Sequence, residues 1–246
     1  NAWYEKRNSV GKLAKDFTSI RESGLMKDLY IIGAGGFGRE VAWLVERINA
    51  DNKARNNPEL WNIKGFIDDN EEKLVSSEGK YMVVGNCEYL NSEAEAHEVY
   101  AICAVGSAKV RKKIIEKLDE RILFPTVVDP SVLVSERVEI GEGSIICAGT
   151  ILTVDIKIGK HVILNLDCTV GHDAVLHDYV TVYPSVNVSG NVDVGECAEM
   201  GTGMQIIQGK KIGAGSIVGA GAVVVKDIPE NCTAVGSPAK PIKYFE

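Results

Sequence analysis

Two histidine–aspartate pairs stand five residues apart in the segment NLDCTVGHDAVLHD, residues 165–178. The pairs are His172-Asp173 and His177-Asp178, and they contain two of the four histidines in the chain. Imidazole rings bind zinc, and near neutral pH they also accept and donate protons. The pattern therefore predicts a metal site, a general base or a solvated surface histidine.

The segment lies within a hexapeptide repeat that starts at Val128. Seventeen successive hexapeptides carry an apolar residue at the same position, without an insertion. A hexapeptide of this kind forms one short strand and one corner, so three hexapeptides close one triangular coil. We predict a parallel β-helix with polar outer faces over 128–229, and a separate C-terminal segment over 230–246, where prolines break the repeat. The apolar positions are Val128, Val134, Ile140, Ile146, Leu152, Ile158, Leu164, Val170, Leu176, Val182, Val188, Val194, Met200, Ile206, Ile212, Val218 and Val224.

The period decides between the chemistries of the histidine pair. The spacing of His172 and His177 resembles that of the γ-class carbonic anhydrases, whose third histidine lies two coils earlier. In this chain that position is Glu136, and His161 occupies a different position within its hexapeptide. We therefore predict no metal site. A general base fits better, because His172 falls on a corner and Gly190 lies one coil above it. A glycine there leaves room for a thioester, and its N–H would stabilise an oxyanion.

Residues 26–127 follow a different pattern, with strands alternating with helices. The motif LYIIGAGGFGREV reads as a strand, a glycine turn and a helix, whose N–H groups suit a phosphate. A second strand ends in Asp68-Asp69, further after Gly38 than the ~20 residues of a dinucleotide-binding fingerprint, so a redox NAD site is disfavoured. This half is predicted to be a Rossmann-like α/β domain with a parallel sheet.

Composition limits the partners. The net charge is -7 with a pI near 5.3, and no basic cluster is present, which disfavours nucleic acid. The six cysteines form no C-x-x-C pair, which favours reduced thiols and a cytoplasmic location. No apolar run approaches the ~18 residues of a membrane span.

The start of the chain allows two interpretations. Asn1-Ala2 resembles a tag remnant, and Met26 opens a more typical beginning. Alternatively, residues 3–25 belong to the protein as an extension that docks on it.

Together these motifs resemble one family. The hexapeptide array with its closing AVGSPAKPI is similar to the left-handed β-helix acyltransferases. The order IIGAGGFGREV, GFIDDN, hexapeptides and central GHD resembles the bacterial sialic acid O-acetyltransferase family and its close relatives, the UDP-4-amino-sugar N-acetyltransferases, over residues 27–243. The resemblance implies a left-handed β-helix, a homotrimer and acetyl-CoA as cosubstrate.

The resemblance also implies roles for individual residues. His172 would be the catalytic base and Asp173 its modulating carboxylate, while the histidine that many relatives carry near Thr181 is absent. The nucleotide-sugar site would comprise Gly33, Gly35, Gly36, Phe37, Gly38, Asp68, Asp69, Gly106 and Asn165. Acetyl-CoA would lie against Gly190, Gly201, Ala220, Lys226, Pro238 and Lys240, with Lys243 a further candidate for its phosphates.

The sequence therefore predicts an acetyl-CoA-dependent acetyltransferase that N-acetylates a nucleotide-activated amino sugar in bacterial glycan biosynthesis. O-acetylation of sialic acid or another polysaccharide precursor is the first alternative. A non-catalytic trimer that binds nucleotide sugars is the second, and it is favoured if the His172 corner is covered.

Overall fold

The computed structural model describes residues 26–70 and 79–245. The predicted N-terminal extension, residues 1–25, lies outside this range. Within it the chain forms an α/β domain followed by a parallel β-helix, which confirms the predicted fold class.

The N-terminal domain is built on a four-stranded parallel sheet with the order β3-β2-β1-β4. The central strand β1 is apolar on both faces, so each face of the sheet has its own core. The short strand β3 and helix α2 were not predicted, because β3 has three residues and α2 buries only Leu90 and Ala94. The elements are β1 (Lys27–Ile32), α1 (Gly36–Ala54), β2 (Trp61–Ile67), β3 (Val83–Gly85), α2 (Cys87–Ala96), β4 (Tyr100–Cys103) and α3 (Ala108–Ile115).

The C-terminal half has seventeen two-residue strands, and each ends at one of the apolar positions predicted from the period of six. Strands three hexapeptides apart pair in parallel, as β10 and β13 do at Ile158 and Leu176. The first face contains β5 (Val127–Val128), β8 (Ile145–Ile146), β11 (Ile163–Leu164), β14 (Thr181–Val182), β17 (Glu199–Met200) and β20 (Ile217–Val218). The second contains β6 (Leu133–Val134), β9 (Ile151–Leu152), β12 (Thr169–Val170), β15 (Asn187–Val188), β18 (Gln205–Ile206) and β21 (Val223–Val224). The third contains β7 (Glu139–Ile140), β10 (Lys157–Ile158), β13 (Val175–Leu176), β16 (Asp193–Val194) and β19 (Lys211–Ile212).

The coils end at a short C-terminal hairpin. Strand β22 (Cys232–Val235) pairs in parallel with β20, and β23 (Lys240–Tyr244) pairs antiparallel with β22. This hairpin extends the first face of the β-helix by two strands.

The first face of the β-helix carries the N-terminal domain, and we call it the docking face. Its outward residues Val127, Ile145 and Ile163 are buried in one apolar cluster with α1 residues such as Val41 and Val45. The prediction that all prism faces are polar is therefore wrong for this face. Burying three aliphatic side chains against α1 stabilises the contact between the two halves.

Candidate active site

His172 lies on the edge between the second and third faces, just after β12. Its Nδ1 lies 2.8 Å from Asp173 Oδ2, so the carboxylate orients the ring and accepts the Nδ1 proton, which leaves Nε2 as the basic nitrogen. Asp173 takes a φ of 60°, a left-handed conformation that aspartate tolerates at corners. The imidazole is 49% exposed in the single chain, whereas a covered corner would favour the non-catalytic alternative.

Gly190 lies directly against this imidazole, as predicted from the stacking of one coil on the next. A Cβ atom built on Gly190 would lie 2.5 Å from His172 Nε2 and 2.6 Å from Cε1. Gly171 is as closely packed, because its Cβ would lie 2.6 Å from the nitrogen of Gly190. The two glycines let adjacent coils stack closely enough to bring the Gly190 backbone beside the basic nitrogen.

The second histidine of the pair has a different partner. His177 Nε2 lies 3.1 Å from Asp193 Oδ1 in the next coil, on the third face. His161 is buried between Tyr179 and Phe124, and burial lowers its pKa to about 4. In the part of the chain that the structure describes, no three histidine, cysteine or acidic side chains are grouped to hold a metal ion.

The edge that carries His172 continues along the prism. The register of β12, β15, β18 and β21 aligns His172, Gly190, Gln208 and Lys226 in one column, which we call the His172 edge. At ~4.8 Å per coil, Lys226 lies roughly 14 Å from His172 along this edge. The edge therefore joins a base, a glycine and an exposed cation in one line.

Other residues predicted for acetyl-CoA lie elsewhere in the chain. Gly201 and Ala220 stack on each other at the edge between the docking face and the second face. Pro238 and Lys240 are exposed in the C-terminal hairpin. Within one chain, then, the structure places only Gly190 and Lys226 of this set in line with His172.

The glycine motif opens helix α1 with its three glycines in different roles. Gly33 has a φ of +100°, as a tight turn requires, and a Cβ on Gly38 would lie 1.9 Å from the Gly33 oxygen. By contrast, a Cβ on Gly35 would meet no atom within 4 Å. The protein's own packing explains Gly33 and Gly38, whereas the open space at Gly35 is where a ligand can approach the backbone.

Among the described residues, α1 is the only one of the three N-terminal-domain helices whose first-turn N–H groups have no side-chain acceptor; Asp68 accepts instead from Ala34, one residue before the cap Gly35. Glu199 Oε1 accepts the Ala108 N–H of α3 at 2.8 Å. At α2, Asp69 accepts from Cys87 and Asn86 from Tyr89, each at 2.9 Å. Helix α1 has no side-chain cap and no acidic residue in its first turn. The positive end of its dipole is therefore available to an anion.

The predicted acidic pair at the end of β2 supports loops of the protein itself. Asp68 Oδ2 accepts the Ala34 N–H at 2.9 Å, and its Oδ1 accepts from the nitrogen of Asn70. Asp69 is exposed and holds the start of α2. Asp68 thus shapes the glycine loop, and a ligand at this site would share its carboxylate with that backbone.

Three more predicted substrate residues lie on the side of the docking face. The Gly106 carbonyl oxygen accepts a 2.7 Å hydrogen bond from Thr181 Oγ1, so this loop at the end of β4 rests on the β-helix. Asn165 follows β11 at the edge of the docking face, and its Oδ1 accepts from the Leu166 nitrogen at 2.7 Å. Phe37 packs, half-buried, against the cluster under the docking face.

The residues that join the two halves were not predicted from the sequence. Arg111 of α3 is fully buried and donates to both domains, and Arg47 of α1 forms a bidentate pair with Asp129 at 2.6 and 3.0 Å. One pattern in the sequence could have predicted the docking face. An apolar residue recurs once per coil directly before the repeat position, at Val127, Ile145 and Ile163.

Comparison with known proteins follows the same two-part division. The PglD N-terminal domain model matches residues 28–118. GDP-perosamine N-acetyltransferase of Escherichia coli O157:H7 is 31% identical over 162 residues, which are 65% of this chain and 69% of that protein. No helix in the described residues is long and apolar enough to cross a bilayer.

Solved structures extend the likeness to both halves. The acetyltransferase domain of PglB from Neisseria gonorrhoeae, in complex with acetyl coenzyme A, is 33% identical with a TM-score of 0.77, covering 89% of this chain and 100% of that one. A variant of perosamine N-acetyltransferase from Caulobacter crescentus, in complex with CoA and GDP-perosamine, is 29% identical with a TM-score of 0.75, over 89% and 98%. The coils and these matches agree, and the chain belongs to the hexapeptide-repeat sugar acetyltransferases with a PglD-type N-terminal domain.

Proposed function

We propose that this enzyme transfers the acetyl group of acetyl-CoA to the amino group of a nucleotide-linked amino sugar. The observation that carries the proposal is the His172 imidazole, held by Asp173 on one side and open toward Gly190 on the other. Relatives named as N-acetyltransferases of GDP-perosamine support the acceptor class.

His172 acts as the general base. Its Nε2 accepts a proton from the acceptor amine as the amine nitrogen attacks the thioester carbonyl carbon. Asp173 stabilises the resulting imidazolium, and the Gly190 N–H donates to the oxyanion of the tetrahedral intermediate. When the carbon–sulfur bond breaks, His172 returns the proton to the CoA thiolate, which completes the amide product and leaves the base neutral. No acyl-enzyme forms.

The His172 edge would hold acetyl-CoA. It is straight, it carries the base at one point, and Lys226 is exposed about three coils away. A cation there would meet a phosphate of the cosubstrate, on a protein whose net charge is -7. The open N-terminus of α1 would hold the diphosphate of the acceptor, since Gly35 leaves space for it.

These two sites are on opposite sides of one chain. A coil has three edges, and the His172 edge is the one that does not border the docking face, where the N-terminal domain and its glycine loop sit. The acceptor bound by one chain must therefore meet His172 of another. This arrangement supports the predicted homotrimer, in which each reaction site lies between adjacent chains.

An acetyl-CoA assay over an acceptor panel tests the function. The panel would contain amino sugars linked to UDP, GDP and TDP, the same sugars without nucleotide, and free sialic acid, with release of CoA thiol as the readout. We expect turnover with at least one nucleotide-linked amino sugar at a kcat/KM well above that of its free sugar. Turnover of sialic acid alone would establish O-acetylation instead.

A mixing experiment tests the shared site. His172→Ala and Gly35→Val variants, each inactive, would be unfolded together and reassembled in equal amounts. Random trimers should regain about a quarter of wild-type activity, since a working site needs the intact glycine loop of one chain beside the intact base of its neighbour. A mixture no more active than its parents would place both sites in one chain.

A further inference from the structure

The loop at the end of β4 is held by hydrogen bonds from Arg111 of its own domain and from Thr181 of the β-helix. Arg111 Nη1 donates to the carbonyl oxygens of Val105 and Gly106 at 2.6 and 3.1 Å. Thr181 Oγ1, from the docking face, donates to the same Gly106 oxygen at 2.7 Å. This loop borders the switch point of the sheet, because β1 and β4 are neighbours whose ends carry the glycine motif and Gly106.

The guanidinium of Arg111 also spans two coils of the β-helix. Its Nε donates to the His161 oxygen at 2.9 Å, and Nη2 donates to the Tyr179 oxygen at 2.7 Å and to Thr181 Oγ1 at 2.9 Å. His161 and Tyr179 are three hexapeptides apart, so they occupy the same place in consecutive coils. With Nη1 on the loop, every nitrogen of the side chain is hydrogen-bonded, and the residue has no solvent exposure.

A second contact fixes the same helix. The Glu199 carboxylate accepts the Ala108 N–H at the start of α3 at 2.8 Å and the Tyr183 hydroxyl at 3.2 Å. It therefore sets a negative charge at the positive end of α3 and near buried Arg111, whose charge it helps to balance. Backbone carbonyls and one hydroxyl accept from Arg111 directly, so the network specifies a geometry rather than a simple ion pair.

We propose that Arg111 and Thr181 are positioning residues of the transfer reaction. They fix the position of Val105 and Gly106 relative to the β-helix, and we call these two residues the wall of the acceptor site at the switch point. By fixing this wall they orient the acceptor amine toward the base of the adjacent chain. This inference rests on the proposed function, because it takes the acceptor to be bound at the switch point. Neither residue touches the reacting atoms; each acts through the loop.

Thr181→Val and Thr126→Val form a matched pair for the test. Both threonines are buried, and each hydroxyl donates to a glycine carbonyl, Thr181 to Gly106 at 2.7 Å and Thr126 to Gly141 at 2.8 Å. Only the first bond ties the loop at the end of β4 to the β-helix, because Thr126 directly precedes β5 and its bond lies within the first coil. Arg111→Lys is the stronger perturbation, since an ammonium keeps the charge but cannot reach the loop and both coils at once.

For each variant we would measure kcat at saturating substrates. Calorimetry would give the affinity and stoichiometry of acetyl-CoA binding and of nucleoside diphosphate binding for comparison. We expect kcat to fall about fivefold in Thr181→Val, the equivalent of the one hydrogen bond lost by the loop, since Arg111 Nη2 loses the hydroxyl but keeps the Tyr179 oxygen as its acceptor. In Arg111→Lys we expect kcat to fall by ~10²-fold, as it does when a reacting group is misplaced by about 1 Å. Both affinities should stay within twofold with full stoichiometry, and Thr126→Val should match the wild type. Unchanged kcat, a parallel loss of affinity or stoichiometry, or an equal effect of Thr126→Val overturns the proposal.

Hydrogen exchange keeps this test separate from the proposed function. If the wild type acetylates no nucleotide-linked amino sugar, the proposed function fails by itself. The positioning claim is then decided by amide exchange in a peptide spanning 104–111. Faster exchange in Thr181→Val, and not in Thr126→Val, supports a wall held by the β-helix; identical exchange in both variants overturns it.

Discussion

Replacing Gly190 by alanine displaces the imidazole of the proposed base, His172, without changing that residue. The added Cβ would lie 2.5 Å from His172 Nε2, whereas ordinary contacts start near 3.4 Å, so the ring must move by about 1 Å. The backbone of Gly190 does not have a positive φ, so alanine fits its conformation. The half-exposed imidazole can turn toward solvent, and we therefore expect the fold to be retained.

The magnitude follows from this displacement. Moving a reacting group by about 1 Å costs ~10²-fold in rate, or roughly 2.7 kcal/mol of transition-state stabilisation. We expect kcat of Gly190→Ala to fall by this factor, measured by thiol release at saturating substrates. The melting temperature and the oligomeric state should stay those of the wild type.

A double-mutant cycle shows whether the methyl group acts through the imidazole. In a His172→Ala background the ring is absent, so Gly190→Ala should cost little beyond His172→Ala alone. Wild-type kcat in the single variant would refute the stacking argument. Fully additive losses would refute it too, because the methyl group would then act independently of His172.

Three further outcomes follow from the structure. His172→Ala should lower kcat by ~10² to 10⁴ with acetyl-CoA affinity retained, while His177→Ala should stay near wild type; equal losses in both would point to a metal site. Gly35→Val should abolish calorimetric binding of a nucleoside diphosphate and leave acetyl-CoA binding intact, and undiminished nucleotide binding would remove α1 from the acceptor site. Burial lowers the pKa of His161 to about 4, while the unfolded chain titrates near 6.5, so the unfolded state binds the proton first and stability falls as pH decreases between these values. Denaturant melts from pH 7 to pH 4 should show a loss of up to about 3 kcal/mol from this residue that His161→Phe removes, and an equal pH dependence in that variant would contradict the assignment.

Periodicity determined the β-helix and its central site. Each strand pairs with the one three hexapeptides away, so residue numbers alone predicted all seventeen strands and the contact of Gly190 with His172. This works because every coil repeats the same local geometry, and a position in the sequence is then a position in space. The strand–turn–helix structure of the glycine motif could also be predicted, because Gly33, Gly35 and Gly38 are close in sequence and shape one local turn.

Only the tertiary structure decided where the two halves meet. Arg111 lies in an ordinary basic helix sequence, AKVRKKII, and nothing local distinguishes it from exposed Lys113 in the same helix. Its burial depends on carbonyl groups 50 to 69 residues away, whose directions are set by coil stacking. The same holds for Asp68 and Asp69, which the sequence presents as free carboxylates and the fold engages with backbone N–H groups. The contacts of Arg111 depend on which of the three faces receives the domain, and that face is set by the packing of Val127, Ile145 and Ile163 against α1.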